Sequence, residues 1–182
     1  MSLHLESTLR IMAPRAEVWS LLHNAARRAE WDAGVAEFAL LTPLPQRWGT
    51  RARLTFQGAG GRRSWWELET IAWNPPERRA FQAVHVSRGT FLRSLTGSWH
   101  LHDNGDGSTN WTLVLNVALP GGLFAPLVER WWGRGAYTRR MVASQRALKR
   151  LIEAEYVPAP APAPASPRLR AARWQPQRVE RS

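Results

Sequence analysis

The sequence predicts an α+β protein. A seven-stranded antiparallel sheet carries two short helices after its first strand and one long helix at its end. Three observations point there. Residues 3–11 alternate apolar and polar side chains. Residues 35–119 divide into strand-length pieces separated by turn signals. After Pro120 the apolar spacing changes to that of a helix.

In "LHLESTLRI", Leu3, Leu5, Leu9 and Ile11 share one face, and His4, Glu6, Thr8 and Arg10 share the other. This is the pattern of a half-buried strand. Pro14 then suits the first turn of a helix, with Val18, Trp19, Leu21 and Leu22 at helical spacing behind it. A second short helix runs through "ARRAEWD" and stops at Gly34.

Six strands follow. "VAEFALLT" and "GTRARLTFQ" come first, and "GAGGRR" turns the chain into "SWWELETIAW". Asn74-Pro75-Pro76 ends that strand, because proline lacks the N–H that a ladder needs. "RAFQAVHVS" and "TFLRSLTGSWHLHD" are next, with a break at Gly89. "NGDG" is a hairpin signal, and "STNWTLVLNVAL" places Trp111, Leu113, Leu115, Val117 and Leu119 on one face. The final helix spans 123–156, with Leu123, Leu127, Trp131, Met141, Leu148 and Ile152 as its stripe. Gly133 and Gly135 each cost roughly 1 kcal/mol in a helix interior, so a bend or frayed segment is expected there.

The chain of 182 residues reads as one domain, 1–156, followed by a tail, 157–182. "PAPAPAPASP" is a semi-rigid extended spacer. The remaining "RLRAARWQPQRVERS" is basic and too poor in apolar groups to fold. Cysteine is absent, which excludes disulfides and thiolate chemistry. No apolar run approaches the ~18 residues of a membrane span, and the N-terminus lacks the apolar core of a signal peptide. A cytoplasmic location in a bacterium is expected.

A net charge of +11 invites an anionic partner. Lys149 is the only lysine, however, so the excess is arginine, as a GC-rich genome would supply by itself. Without a recognisable module, nucleic-acid binding is not expected. A weak anionic contact of the tail through Arg168, Arg170, Arg173 and Trp174 is conceivable against a solvated tail of no fixed role.

"IMAPRAEVWSLLHNAARRAEWD" resembles the N-terminal signature of the polyketide cyclase/dehydrase-type family. That family lies within the superfamily of START-type and birch-pollen-allergen-like domains (SRPBCC). "RWGTRARLTF", "WELETIAWNPPERRAF", "GSWHLHDNGDGSTNWTLVL" and "SQRALKRLIEAE" resemble its later strands and last helix. The resemblance covers residues 1 to about 155. It implies a helix-grip fold, a curved sheet wrapped around the C-terminal helix. It also implies a cavity between them that takes lipids, polyketides or other apolar molecules, with catalysis in some members only.

One amphipathic helix cannot fill the concavity of so large a sheet, so big side chains or a ligand must. Eleven tryptophans supply the side chains. By alternation Trp66, Leu68, Phe81, Trp99, Leu101, Trp111, Leu113 and Leu115 point inward, and Trp131, Tyr137 and Met141 face them from the helix. These residues either plug the space or form a flat-sided slot for a ring system.

Chemical candidates are few. Glu67 and Glu69 share the face opposite Trp66 and Leu68, so cross-strand pairing with Arg53 and Arg51 outranks an acid–base pair. The opposite register would bring both glutamates inside. His85 and Arg53 are the weak catalytic candidates, His85 because it is placed on the face of Phe81 and Ala83. Without cysteine or HExxH, neither a metal nor any cofactor is expected. "GAGG" lacks the lysine of a phosphate loop, and "DNGDGS" has Gly105 where a calcium ligand belongs.

The expected function is binding, as carrier or sensor, of a small hydrophobic or aromatic molecule. Arg53, His85 or Asn116 would orient it, and the last helix, hinged near Gly133 and Gly135, would gate it. The alternatives are a polyketide aromatase/cyclase working in the same cavity, and protein, RNA or membrane contact through the basic surface and tail.

Overall fold

The computed structural model describes residues 2–58, 61–88, 90, 92–119 and 134–156. Seven strands form one antiparallel sheet: β1 (Ser2–Ile11), β2 (Val35–Leu40), β3 (Arg51–Gln57), β4 (Arg63–Asn74), β5 (Arg78–Val86), β6 (Ser94–Asp103) and β7 (Thr109–Ala118). Their order across the sheet is β1-β7-β6-β5-β4-β3-β2. Helix α1 (Arg15–Leu22), a 3-10 turn (Ala25–Arg27) and α2 (Arg28–Trp31) lie between β1 and β2, and α3 (Arg134–Glu155) closes the described chain. This is the helix-grip architecture that the resemblance implied.

The local reasons are those of the sequence. Pro14 caps α1 from an extended conformation. Gly34, at φ +82°, turns the chain out of α2. The 103–109 hairpin closes through Gly105 and Gly107, both at positive φ, where a side chain would be strained.

β1 is an edge strand, and α3 covers it with three side chains four residues apart. Gln145 Nε2 donates to the Ser7 carbonyl at 3.0 Å, and Lys149 Nζ to that of Arg10 at 2.7 Å. Glu153 Oε1 accepts the Met12 N–H at 2.8 Å. Leu148 and Ile152, on the buried side of the helix, enter the core. Together these contacts fix the helix along one rim of the sheet and shield an edge that would otherwise be open to pairing.

Two irregularities in β4–β5 redirect side chains. Glu67 pairs with His85 while Leu68 pairs with Ala83, so Val84 is an extra residue on β5. Thr70 pairs with Phe81 while Ala72 pairs with Ala80, so Ile71 is extra on β4. Each bulge reverses the in–out alternation beyond it. The first sends His85 outward, and the second brings Trp73 inward beside Arg79.

At one end of the concavity Trp31, Trp99 and Trp111 form a triangle with centroids 6.0–6.5 Å apart and edge-to-face angles. Such pairs add about 0.5–1.5 kcal/mol each beyond their burial. The expected first part of the last helix, including Leu123, Leu127, Trp131 and Gly133, lies outside the described residues, as does the 157–182 tail. Gly135 is the second residue of α3.

Candidate functional site

Between the sheet and α3 lies a cavity of about 80 Å3. Leu54 of β3, Trp66 and Leu68 of β4 and Phe81 of β5 form one wall; Leu95 and Trp99 of β6 and Leu113 and Leu115 of β7 form another. Tyr137, Arg140, Met141 and Ser144 of α3 close it, and Arg28 and Asp32 form a polar corner. A cavity of ~150 Å3 holds benzene, so this space is narrower than one aromatic ring needs. Gly97 keeps the wall thin: a Cβ there would stand 2.5 Å from the Phe81 ring.

The polar corner is one network. Arg28 Nη2 and Nε donate to Asp32 Oδ2 at 2.6 and 2.9 Å. Ser144 Oγ lies 3.3 Å from Asp32 Oδ1, and Arg140 Nη2 lies 3.7 Å from it. The Arg28 guanidinium also sits over Trp31 and Trp99, 4.2 and 4.8 Å from the ring centroids. Burial pulls the Arg28 and Arg140 pKa values down, and Asp32 opposes the shift in both. Burial likewise raises that of Tyr137, so its hydroxyl stays protonated.

A second, smaller void of about 10 Å3 lies behind the first, sharing Arg28, Leu54, Leu68, Phe81 and Trp99 with it. Arg79 lines this one. It is 4% exposed, and burial next to Arg28 pushes its pKa down to about 9, still cationic at neutral pH. Gln46 Oε1, at 3.5 Å, is its side-chain acceptor, while Nε has none among the described residues. Its guanidinium is 5.2 Å from the Trp99 centroid and 5.9 Å from that of Trp73.

His23 is close by, tilted against Trp19 at 4.0 Å and edge-on to Trp73 and Trp99 at 4.8 and 5.3 Å. Its Nδ1–H donates to the Trp19 carbonyl at 2.9 Å, and Nε2 is buried without a partner. Burial first, then the charge of Arg79, lowers its pKa to about 3, so the ring is neutral.

Of the apolar residues expected to form the site, Trp66, Leu68, Phe81, Trp99, Leu113, Leu115, Tyr137 and Met141 line the cavity. Leu101 and Trp111 point inward but are buried in the core behind the wall. Trp131 lies outside the described residues. The weak catalytic candidates are elsewhere. His85 is exposed, because the bulge at Val84 moves it to the face of Glu67. Arg53 is on the outer face, paired to Glu67 at 2.5 Å, as cross-strand pairing required. Arg51 stands 3.7 Å from Glu69 in the same way. Asn116 is exposed and bonds His4 Nδ1 at 2.8 Å.

Sequence reasoning missed Arg28, Asp32, Arg79, Arg140, Ser144 and His23. Two signals were present. Arg28 and Asp32 are four apart, the spacing of a helical ion pair, and Arg79 is two before the inward Phe81, which puts it on the same face. Arg140 and Ser144 share that helical spacing with each other, but only the fold shows which face of α3 meets the sheet.

Among the described residues, no group of three or more His, Asp or Glu gathers as a metal site, and no helix is long and apolar enough to cross a membrane.

A family model described as polyketide cyclase/dehydrase and lipid transport matches residues 2–153. No curated protein matches the sequence. Several solved structures share the fold at low identity. A protein of Thermus thermophilus superposes with a TM-score of 0.69 at 18% identity, over 84% of this chain and 98% of its own. The Zhui aromatase/cyclase of a Streptomyces species gives 0.69 at 17%, over 84% and 94%. A START superfamily protein of Mycobacterium smegmatis gives 0.65 at 12%, over 83% and 97%.

Proposed function

The chain belongs to the polyketide cyclase/dehydrase and lipid transport family, and on that premise we propose that its cavity binds a small hydrophobic or aromatic molecule. The observation that carries the proposal is the slot itself. It is apolar on both walls and polar at one corner. Apolar walls with a few convergent polar groups are the ordinary make-up of a ligand site. At about 80 Å3 the slot is a resting volume. Trp66, Met141 and half-buried Tyr137 are the side chains whose movement enlarges it, methionine because its unbranched chain repacks readily.

The test is a fluorescence titration with the neutral probe N-phenyl-1-naphthylamine. One-site saturation is expected in the parent protein, and none in Leu113→Trp, which fills the slot, with circular dichroism confirming that the variant folds. Absence of saturable binding in the parent, or unchanged binding in Leu113→Trp, defeats the proposal.

A second reading, polyketide aromatase/cyclase, draws on the aromatase/cyclase named among the similar folds and on the polar corner. Aldol closure and dehydration need a group that takes up a proton and one that gives it. Tyr137 can donate. The one carboxylate on the cavity wall among the described residues, Asp32, is held by Arg28 and faced by Arg140 and Ser144, so its oxygens are already engaged. Binding is therefore favoured over catalysis. Turnover of an acyl-carrier-bound poly-β-keto chain to a cyclised product, abolished by Tyr137→Phe, would reverse that order.

A further inference from the structure

We propose that the ligand carries a carboxylate, and that Arg79 receives it in the small void at the back of the slot. This rests on the cavity-binding reading and names the class of molecule within it.

The argument starts from charge. Among the described residues, three guanidiniums border the two adjacent voids, those of Arg28, Arg79 and Arg140, against the single carboxylate of Asp32. Arg28 uses that carboxylate twice, and Arg140 faces its other oxygen. Arg79 has no carboxylate within 4.0 Å among the described residues. Among the described residues its side-chain acceptor is Gln46, at a weak 3.5 Å, and Nε is buried and unpartnered.

A buried cation without a counter-ion opposes folding. Two indoles near its guanidinium lessen that cost without saturating the N–H donors. A planar fork with free donors is the geometry that carboxylates bind in pairs of parallel hydrogen bonds.

Position agrees with charge. The void at Arg79 has about 10 Å3, room for about one water, so a carboxylate enters it as the side chains shared with the slot give way. It shares walls with the apolar slot, so a ring between Trp66, Phe81 and Leu113 would direct a carboxylate toward Arg79 and Arg28. The recognised molecule is then an aromatic or short branched carboxylic acid in its ionised form. A neutral hydrocarbon or a long lipid acyl chain fits less well.

The probes are benzoate and benzamide, which have nearly the same shape and differ in charge, titrated calorimetrically at pH 7.5 into the full chain. Benzoate is expected to bind at least tenfold tighter. Arg79→Gln removes that preference while leaving benzamide affinity within threefold, and Arg79→Lys retains part of it. Arg53→Gln, on the outer face, changes neither. Equal affinities in the parent protein, or a preference that survives Arg79→Gln, overturn the proposal. If Arg79→Gln does not fold, the parent ratio decides, and a ratio near one overturns it. Benzamide binding with no benzoate preference leaves the cavity reading standing and removes only the carboxylate. No binding of either probe or of N-phenyl-1-naphthylamine removes both.

Discussion

Arg28 and Asp32, one helical turn apart, pair beneath the cavity through two hydrogen bonds to a single oxygen, at 2.6 and 2.9 Å. Both residues are buried. A buried pair adds little over a well-packed apolar substitute, but breaking it strands a charge. Asp32→Asn is therefore expected to destabilise the protein by about 3–5 kcal/mol. Arg28→Met with Asp32→Leu should recover part of that loss, since it removes both charges of the pair but leaves Arg140 without Asp32. Urea unfolding of the single and double variants checks this. A single variant that costs no more than the double shows that the pair is not coupled.

The outer pair behaves differently. Arg53 is about half exposed and Glu67 is 9% exposed, so solvent screens the bond from the arginine side. Glu67→Gln keeps an acceptor for Arg53 and should cost about 1–2 kcal/mol, and should leave saturation by N-phenyl-1-naphthylamine unchanged. Loss of binding in a folded Glu67→Gln variant would show that the outer face takes part in function.

The contrast between these two pairs marks how far residue patterns reach. Strand alternation is a local property, so β1, the first half of β4, β6 and β7 could be oriented from the chain alone, and with them Trp66, Trp99 and Leu113. The pairing of Arg53 with Glu67 followed from the same parity. His85 failed because one extra residue, Val84, inverts the parity of β5, and no local pattern announced the bulge. The polar corner failed for another reason. Nothing local marks Arg28 and Asp32 as interior, since burial of a charge is a tertiary fact that shows only once Arg28 is seen packed against Trp99. Arg79 stood on a face already assigned to the interior. Its charge made an outward position the natural expectation, and the bulge at Ile71 supplies the inward indole of Trp73 that accompanies it.

Gly97 offers a test of the wall. A Cβ there would lie 2.5 Å from Phe81 and 2.8 Å from Leu115. Gly97→Ala must push the Phe81 ring toward the slot, a form of overpacking that costs typically 1–3 kcal/mol. The variant should melt lower and bind N-phenyl-1-naphthylamine more weakly. Phe81→Leu in the same chain should restore part of both. An unaltered melting temperature in Gly97→Ala would mean that the sheet yields there at no cost.

His23 gives the pH dependence. Its folded pKa is about 3, against an ordinary value near 6.5. Between those values the unfolded chain binds a proton that the folded chain refuses. Stability from this residue is therefore complete above about pH 6.5, and it declines as the pH falls toward 3. The decline is at most ~1.4 kcal/mol per pH unit, or about 2 kcal/mol by pH 5. His23→Phe keeps a ring between Trp19 and Trp73 and has nothing to titrate. The free energy of unfolding, measured in urea at pH 7.5 and pH 5, should fall further in the parent than in His23→Phe. Carboxylate pairs such as Arg27–Glu155 titrate in both proteins and cancel in the comparison. Parallel declines in the two would mean that His23 accepts a proton in the folded state, which its buried Nε2, next to the Arg79 charge, opposes.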